Sequence, residues 1–311
     1  MRISVLDCFG GVNTVVSSVI TQSEQTFFPC FPCVGDSSNE NLTSPQRELL
    51  LWHWKLGINM YRVQELMRER TFEEPLGKRT VLPPIIKPKF PSARNCVIPV
   101  CQSCLLARAR KRSPNAKCSS VIPESEGALS RDRYEVGDFV STDQFICKTP
   151  GRLPEGYGRE STDRRFQGGT IYNDAASGLI WVENQVSLGA NETVMGKARF
   201  EQWLWDMAYA EVKHYHGDNG IFSAEEYRQE CMDKGQSQSF SGVGAQHQNA
   251  RAERAIQTIM YMARSFMVHS SLHWTDRGSD DISLWPFAVK HAVWLYNCGQ
   301  TACLGLLHWN C

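Results

Sequence analysis

The residue pattern predicts a chain of the α/β or α+β class with a helical segment ahead of it. Two observations carry that expectation. Three strand-like runs fall between 139 and 186, and from 192 to 297 helix-period runs alternate with further strand-like runs. Both patterns are dense enough in apolar residues to bury a core, since 42% of the 311 residues are hydrophobic.

Residues 1–45 are rich in Ser, Thr and Asn with no clear period, so a poorly ordered leader is expected there. Within it, Cys30 and Cys33 form a Cys-x-x-Cys pair flanked by prolines, which argues against a redox helix and for plain surface thiols. Residues 46–68 predict helix, with Leu49, Leu50, Trp52, Leu56, Val63 and Leu66 as the apolar positions. Gly57 and Asn59 predict a break into two. Four prolines in 82–92 forbid helix and predict extended chain. Cys96, Cys101 and Cys104 follow, the last two at zinc-knuckle spacing. A polar linker spans 113–132.

From Tyr134 the mixed pattern begins. Phe139–Cys147 reads as a central strand. Gly169–Asn173 and Leu179–Val186 read as a hairpin pair around the turn Asp174-Ala175-Ala176-Ser177-Gly178. Glu192–Tyr209 reads as helix, with Val194, Ala198, Trp203, Leu204, Met207 and Ala208 toward a core. Val212–His216 is the fourth strand, Ala224–Lys234 a helix, and Ser237–Ser241 a fifth strand. Residues 250–268 and 282–297 are the closing helices. In the first of these, Ala252, Ala255, Ile256, Ile259, Ala263 and Phe266 form one stripe. Glu253 lies beside that stripe, with Gln257 and Arg264 further round the same flank.

Composition excludes little. Formal net charge is zero, so the whole-chain balance does not announce a nucleic-acid partner. A local run does: Arg108, Arg110, Lys111 and Arg112 cluster between the two predicted folded units, a pattern that also fits a solvated linker. No N-terminal run has the form of a secretion signal, and none is long enough to span a membrane. Nuclear or cytoplasmic residence is therefore expected. In that setting the twelve cysteines point to thiols and metal ligands more than to disulfides.

Chemistry concentrates in three acids. Asp143 lies within the central strand, and Asp218 at the end of the fourth, followed by Asn219-Gly220. Glu253 lies in the first turns of the next-to-last helix, within Asn249-Ala250-Arg251-Ala252-Glu253-Arg254. Three carboxylates on separate elements repel one another unless a divalent cation lies between them. Asp163 and Asp174 are rival acids in loop and turn context.

In order and type these pieces resemble the catalytic core of a copia-type retrotransposon integrase, within the retroviral integrase superfamily, over about residues 48–300. Two departures stand out: Ala250 replaces a Gly, and Asp218 and Glu253 are 35 positions apart, one short of the usual spacing. The resemblance implies a ribonuclease H-like mixed five-stranded sheet flanked by helices, with a small N-terminal helical zinc-binding module. It divides the chain into a leader (1–45), a module (46–112), a linker (113–132), a catalytic core (133–300) and a divergent tail (301–311).

The resemblance further implies DNA end processing and strand transfer with two Mg2+ or Mn2+ ions. Asp143 would bridge both ions, with Asp218 on one and Glu253 on the other. Asn249 and the run Arg108, Arg110, Lys111 and Arg112 would contact nucleic acid. The module would hold one structural Zn2+ through His53, Cys101 and Cys104, with Cys96 replacing a second His that Ile58 cannot supply. The implied partners are element-end DNA, target DNA and further copies of the chain. Two alternatives stay open: an inactive transposon relic that keeps a nucleic-acid-binding fold, and a nuclease on RNA–DNA hybrids. His214 and His216, alternating on one strand, read as packing or as phosphate neighbours.

Overall fold

A computed structural model describes residues 41–73, 79–108, 134–154, 164–242, 249–273 and 281–304. Cys30, Cys33, Asp163, Arg110, Lys111 and Arg112 lie outside them.

The N-terminal part starts with helix α1 (Ser44–Leu56) and helix α2 (Met60–Leu66). Pro45 suits the first turn of α1, and the Gln46 side chain accepts from the Thr43 backbone N–H at 3.0 Å. The predicted break falls between them. Gly57 closes α1 at φ +64°, a conformation few L-residues tolerate. A Cβ there would stand 2.4 Å from Phe266, so the glycine also lets a distant helix approach. Asn59 opens α2 by accepting from the Arg62 N–H at 2.8 Å.

A two-stranded antiparallel hairpin follows, β1 (Arg70–Glu73) with β2 (Arg79–Leu82), in register Arg70 to Leu82 and Glu73 to Arg79. Sequence reading missed this hairpin, because its two short polar strands lack an apolar alternation. A 3-10 turn (Pro91–Arg94) and helix α3 (Gln102–Arg108) complete this part. Leu49, Leu50, Val63, Met67, Ala93 and Cys101 form its own small core.

The larger part is built on five strands: β3 (Val140–Gly151), β4 (Phe166–Asp174), β5 (Ile180–Gln185), β6 (His214–Gly217) and β7 (Ser237–Phe240). Their order in the sheet is β5-β4-β3-β6-β7. The first three pair antiparallel, while β6 joins β3 and β7 joins β6 in parallel. Helix α4 (Ala190–Ala208) links β5 to β6, and helix α5 (Glu225–Asp233) links β6 to β7. Helices α6 (Ala250–His273) and α7 (Trp285–Leu304) close the chain. This mixed five-stranded sheet flanked by helices is the ribonuclease H-like arrangement.

Strand alternation divides the sheet into two faces. On one, Phe145, Ile171 and Val182 pack against Ile256, Ile259 and Ala263 of α6 and Val289 of α7. On the other, Val140, Tyr172 and Tyr215 pack against Phe200 and Leu204 of α4 and Tyr227 of α5. Asp143 shares the parity of Phe145, so it belongs to the α6 face.

One predicted helix face needs correction. In α4 the buried residues are Thr193, Gly196, Lys197, Phe200 and Leu204, while Ala198 and Met207 are exposed. Apolarity misled the reading because a lysine lies inside. The Lys197 side chain is 0% exposed, pairs with Glu201 at 2.8 Å and lies 5.3 Å above the Tyr215 ring. In α6, Arg264, on the flank of the apolar stripe, is itself buried. That helix packs not only on the sheet but also against α3 and α7, so little of its circumference stays open.

Candidate carboxylate and His/Cys sites

Parallel pairing sets His216 of β6 opposite Ser141 of β3. Asp218 and Asp143 each lie two residues further along, so neighbouring strands deliver both acids at the same level. Asp218 sits just past β6, where its Oδ1 accepts from the Gly220 N–H at 3.3 Å. A Cβ at position 220 would come within 3.1 Å of that carboxylate, so glycine there leaves the Asp218 side chain room.

Glu253 arrives with the start of α6, and two bonds pin that start. The Asn249 amide donates to the Thr142 carbonyl at 3.1 Å, beside Asp143. Arg251 donates to the Ala175 carbonyl, in the turn between β4 and β5, at 2.9 Å. Asn249 is 5% exposed. Its amide is turned into the protein, where it fixes where the helix begins relative to β3.

Asp143 is 9% exposed, and its Oδ1 accepts from the Gln144 N–H at 2.8 Å. Burial first, then the negative charges of Asp218 and Glu253, push its carboxyl up to about 7. Asp143 therefore feels the charges of both other acids. They are not tightly clustered: among the described residues, only His53, Cys101 and Cys104 form a set of three whose ligand atoms all lie within 4.8 Å of one another.

That second set lies on α1 and at the start of α3. His53 Nδ1 stands 2.5 Å from the Ile58 carbonyl, which can only accept, so Nδ1 carries the proton and Nε2 faces Cys104 Sγ at 3.2 Å. Position 58 thus serves by its backbone, although its side chain cannot bind metal. The Cys101 thiol and His53 hold Cys104 well below the usual thiol range against the opposing effect of burial. Burial alone would lower His53, but the Cys104 thiolate and the Ile58 carbonyl outweigh it and raise it.

Cys96 stands outside this set of three. Its Sγ donates to the Ala93 carbonyl at 3.6 Å, and Gln64 donates to its sulfur at 3.9 Å and to its carbonyl at 2.9 Å. It packs at the edge of the small N-terminal core instead.

What does face the set is a stripe of α6 that sequence reading passed over. Arg108 Nε donates to Tyr261 Oη at 2.9 Å, Cys104 Sγ stands 3.4 Å from Ser265 Oγ, and Ser103 Oγ stands 3.5 Å from His269 Nδ1. Tyr261, Ser265, His269 and His273 recur every four residues, a helical polar stripe legible in the sequence. Burial, then the neighbouring His273 and His53, lower His269 to about 4.

The remaining candidates have structural duties. His214 bonds Ser237 and Ser239 of β7 at 2.8 and 2.7 Å, and His216 bonds Ser239 at 2.8 Å. Both rings stack on Phe139. Asp174 is fully buried and accepts from Gly137 N–H, Ser177 N–H and the Ser177 hydroxyl, which accounts for an acid in a turn. Arg108 lies over the Tyr261 ring at 5.1 Å. Among the described residues no helix is long and apolar enough to cross a membrane.

A ribonuclease H-like sheet with acids on β3, after β6 and at the start of α6 defines the class of protein to which comparison is due. No family model and no curated protein matches the chain. Solved structures similar to it include the HTLV-2 integrase catalytic core domain in complex with magnesium, at 16% identity and TM-score 0.33, covering 51% of this chain and 83% of that one. The BIV integrase catalytic core is similar at 14% identity and TM-score 0.34, covering 50% and 81%. A chain of a simian T-cell lymphotropic virus intasome is similar at 12% identity and TM-score 0.37, covering 51% of this chain and 47% of its own length. Likeness at this level is silent on function.

Proposed function

We propose that the chain is a metal-dependent polynucleotidyl transferase of the integrase type, acting in DNA end processing and strand transfer. The observation that carries the reading is Asp143. A carboxylate placed in a nearly closed position, beside two further acids delivered by separate elements, is held up to about 7 by burial and by their charges. Proteins rarely keep such repulsion unless a cation offsets it.

The donor set is all oxygen, which suits hard cations such as Mg2+ or Mn2+ rather than zinc. Asp143, Asp218 and Glu253 would hold them, and the wider spread of their oxygens favours two ions over one. When bound, such ions lower the pKa of an attacking water or 3′-hydroxyl and stabilise the leaving oxygen of an in-line displacement. The chain's own part is positional. Neighbouring parallel strands bring Asp143 and Asp218 level, and Asn249 registers Glu253 against β3. Burial shields Asp143, while Asp218 and Glu253 are partly open to solvent.

The second donor set suits a different ion. Two sulfurs and an imidazole nitrogen match zinc, so His53, Cys101 and Cys104 are proposed to hold one structural Zn2+. Element-end and target DNA are the proposed substrates, self-association the proposed working state, and the nucleus or cytoplasm the proposed location.

The test is a joining assay with labelled duplex DNA from the ends of the encoding element, run with Mg2+ and with Mn2+ beside an RNA–DNA hybrid. Cation-dependent nicking and joining of DNA supports the proposal. Cleavage of the hybrid alone would reassign the chain to hybrid hydrolysis, and silence on both substrates with both cations would mark it as a relic.

A further inference from the structure

We infer that the fourth ligand of the His53–Cys101–Cys104 site is His269 of α6, so that one zinc ion ties the N-terminal helices to the catalytic core. The inference rests on the zinc reading above and adds to it a ligand from outside the N-terminal segment.

Structural zinc takes four ligands in a tetrahedron, at about 2.0–2.1 Å for nitrogen and about 2.3 Å for sulfur. Three are gathered already. The cavity beside them is small, about 60 Å³, and His269 lines it together with Ser103, Ser265, Tyr261 and Trp54. Among the described residues no other His, Cys, Asp or Glu beyond the three lines that cavity, and Cys96 is turned away to Ala93 and Gln64.

His269 is held on the right side of α6. Its ring packs on Trp54 of α1 at 5.1 Å between centroids, and Ser103, the neighbour of Cys104, stands 3.5 Å from its Nδ1. One helical turn earlier, Ser265 touches Cys104 itself. The ring nitrogens stand outside the group of three, so the side chain must turn about its torsions toward Cys104 to complete the tetrahedron. The set would then be two sulfurs and two imidazoles, with the lost histidine of the N-terminal motif replaced by one sixteen residues along α6 from Glu253.

The experiment uses the full chain, loaded with Zn2+ or Co2+. Metal content and competition with a chelator give stoichiometry and affinity. Cobalt absorption and zinc-edge X-ray absorption give ligand types. Expected are one ion per chain with two sulfur and two nitrogen ligands. His269→Ala should weaken binding by at least the ~10–100-fold that even an outer-shell partner is worth, and lose one imidazole. His269→Cys should retain the ion and gain thiolate-to-cobalt absorption, an outcome readable even if the alanine variant folds poorly. His273→Ala, one turn further along, should leave both readouts unchanged.

Unchanged affinity and an unchanged ligand count in His269→Ala would overturn the inference and leave the three-ligand zinc site standing with water as its fourth. A purified chain that binds no zinc at all would overturn both.

Discussion

The molecule has two clusters of chemistry-bearing side chains, and they settle their charges in opposite ways. At His53, Cys101 and Cys104 the ligand atoms are close together, and a thiolate, a thiol and an imidazole satisfy one another by hydrogen bonds. Asp143, Asp218 and Glu253 are all acids and stand further apart, and burial together with the charges of the other two pushes the carboxyl of Asp143 up to about 7. The first cluster can hold its shape without a ligand; the second is relieved either by a proton on Asp143 or by a cation between the acids. The structural role proposed for the first and the catalytic role proposed for the second fit this difference, because a site that a cation relieves suits cations and phosphates that come and go.

The largest expected effect separates the two clusters outright. Asp143→Asn, Asp218→Asn or Glu253→Gln should each lower cation-dependent DNA joining by roughly a thousandfold or more while the fold and DNA binding persist, since preorganised charge is the main catalytic resource in such a site. Double substitutions should add little, because the acids act as one unit. Near-normal joining by Glu253→Gln in a strand-transfer assay would break the contrast.

Next in size is loss of the other ion. Structural zinc contributes on the order of 10–16 kcal/mol of apparent binding free energy, so Cys104→Ala or a chelator should loosen residues 44–108 in hydrogen exchange. The sheet should keep its protection. Uniform loss across the chain would mean that the two parts fold as one.

A pH experiment sharpens the comparison from the acid side. Asp143 is raised in the folded state, so it keeps its proton between about pH 4, where an unfolded Asp releases it, and about 7. Folding therefore favours proton uptake, and stability without divalent cations should fall as pH rises through that window. Asp143→Asn should flatten the fall, and Mg2+ should reverse it above pH 7. Melting temperatures across pH 4–8 check this, and a flat wild-type profile would remove the argument for stored repulsion.

Smaller effects concern the surroundings. Asn249→Ala should cost about 1 kcal/mol of stability for one broken hydrogen bond, and should lower the rate of joining without changing the salt dependence of DNA binding. Replacing Arg108, Arg110, Lys111 and Arg112 by Gln should weaken binding to unrelated DNA sequences alike. It should also lower the salt slope by up to about four, near one for each phosphate that is no longer neutralised. An unchanged slope would make the run a solvated linker.

How far each cluster could be read in advance follows from how local its determinants are. Strands β3 to β7 and helices α4 and α5 came out of periodicity within about four residues of their observed ends, because alternation and helical spacing are properties of neighbouring residues, while α6 and α7 run on to His273 and Leu304, past the predicted 268 and 297. The hairpin β1–β2 did not, since its strands carry no apolar alternation. The acids could be named because each sits in a short stretch, within β3, just past β6 and in the first turn of α6, whose order resembles a known family's.

By itself the sequence determined the elements, their order and the residue types on offer: which acids end strands, where Gly57 breaks a helix, which thiols stand three apart. Tertiary structure alone decided which of these meet. Parallel pairing of β6 with β3 levels Asp218 with Asp143, and it joins strands separated by more than sixty residues. Packing turned Asn249 inward to Thr142, left Cys96 against Ala93, and laid the polar stripe of α6 over His53 and Cys104. The physical reason is common to all three. A side chain's partner across the fold depends on how helices and sheet dock, and docking is set by the summed burial of many residues, which no local spacing records.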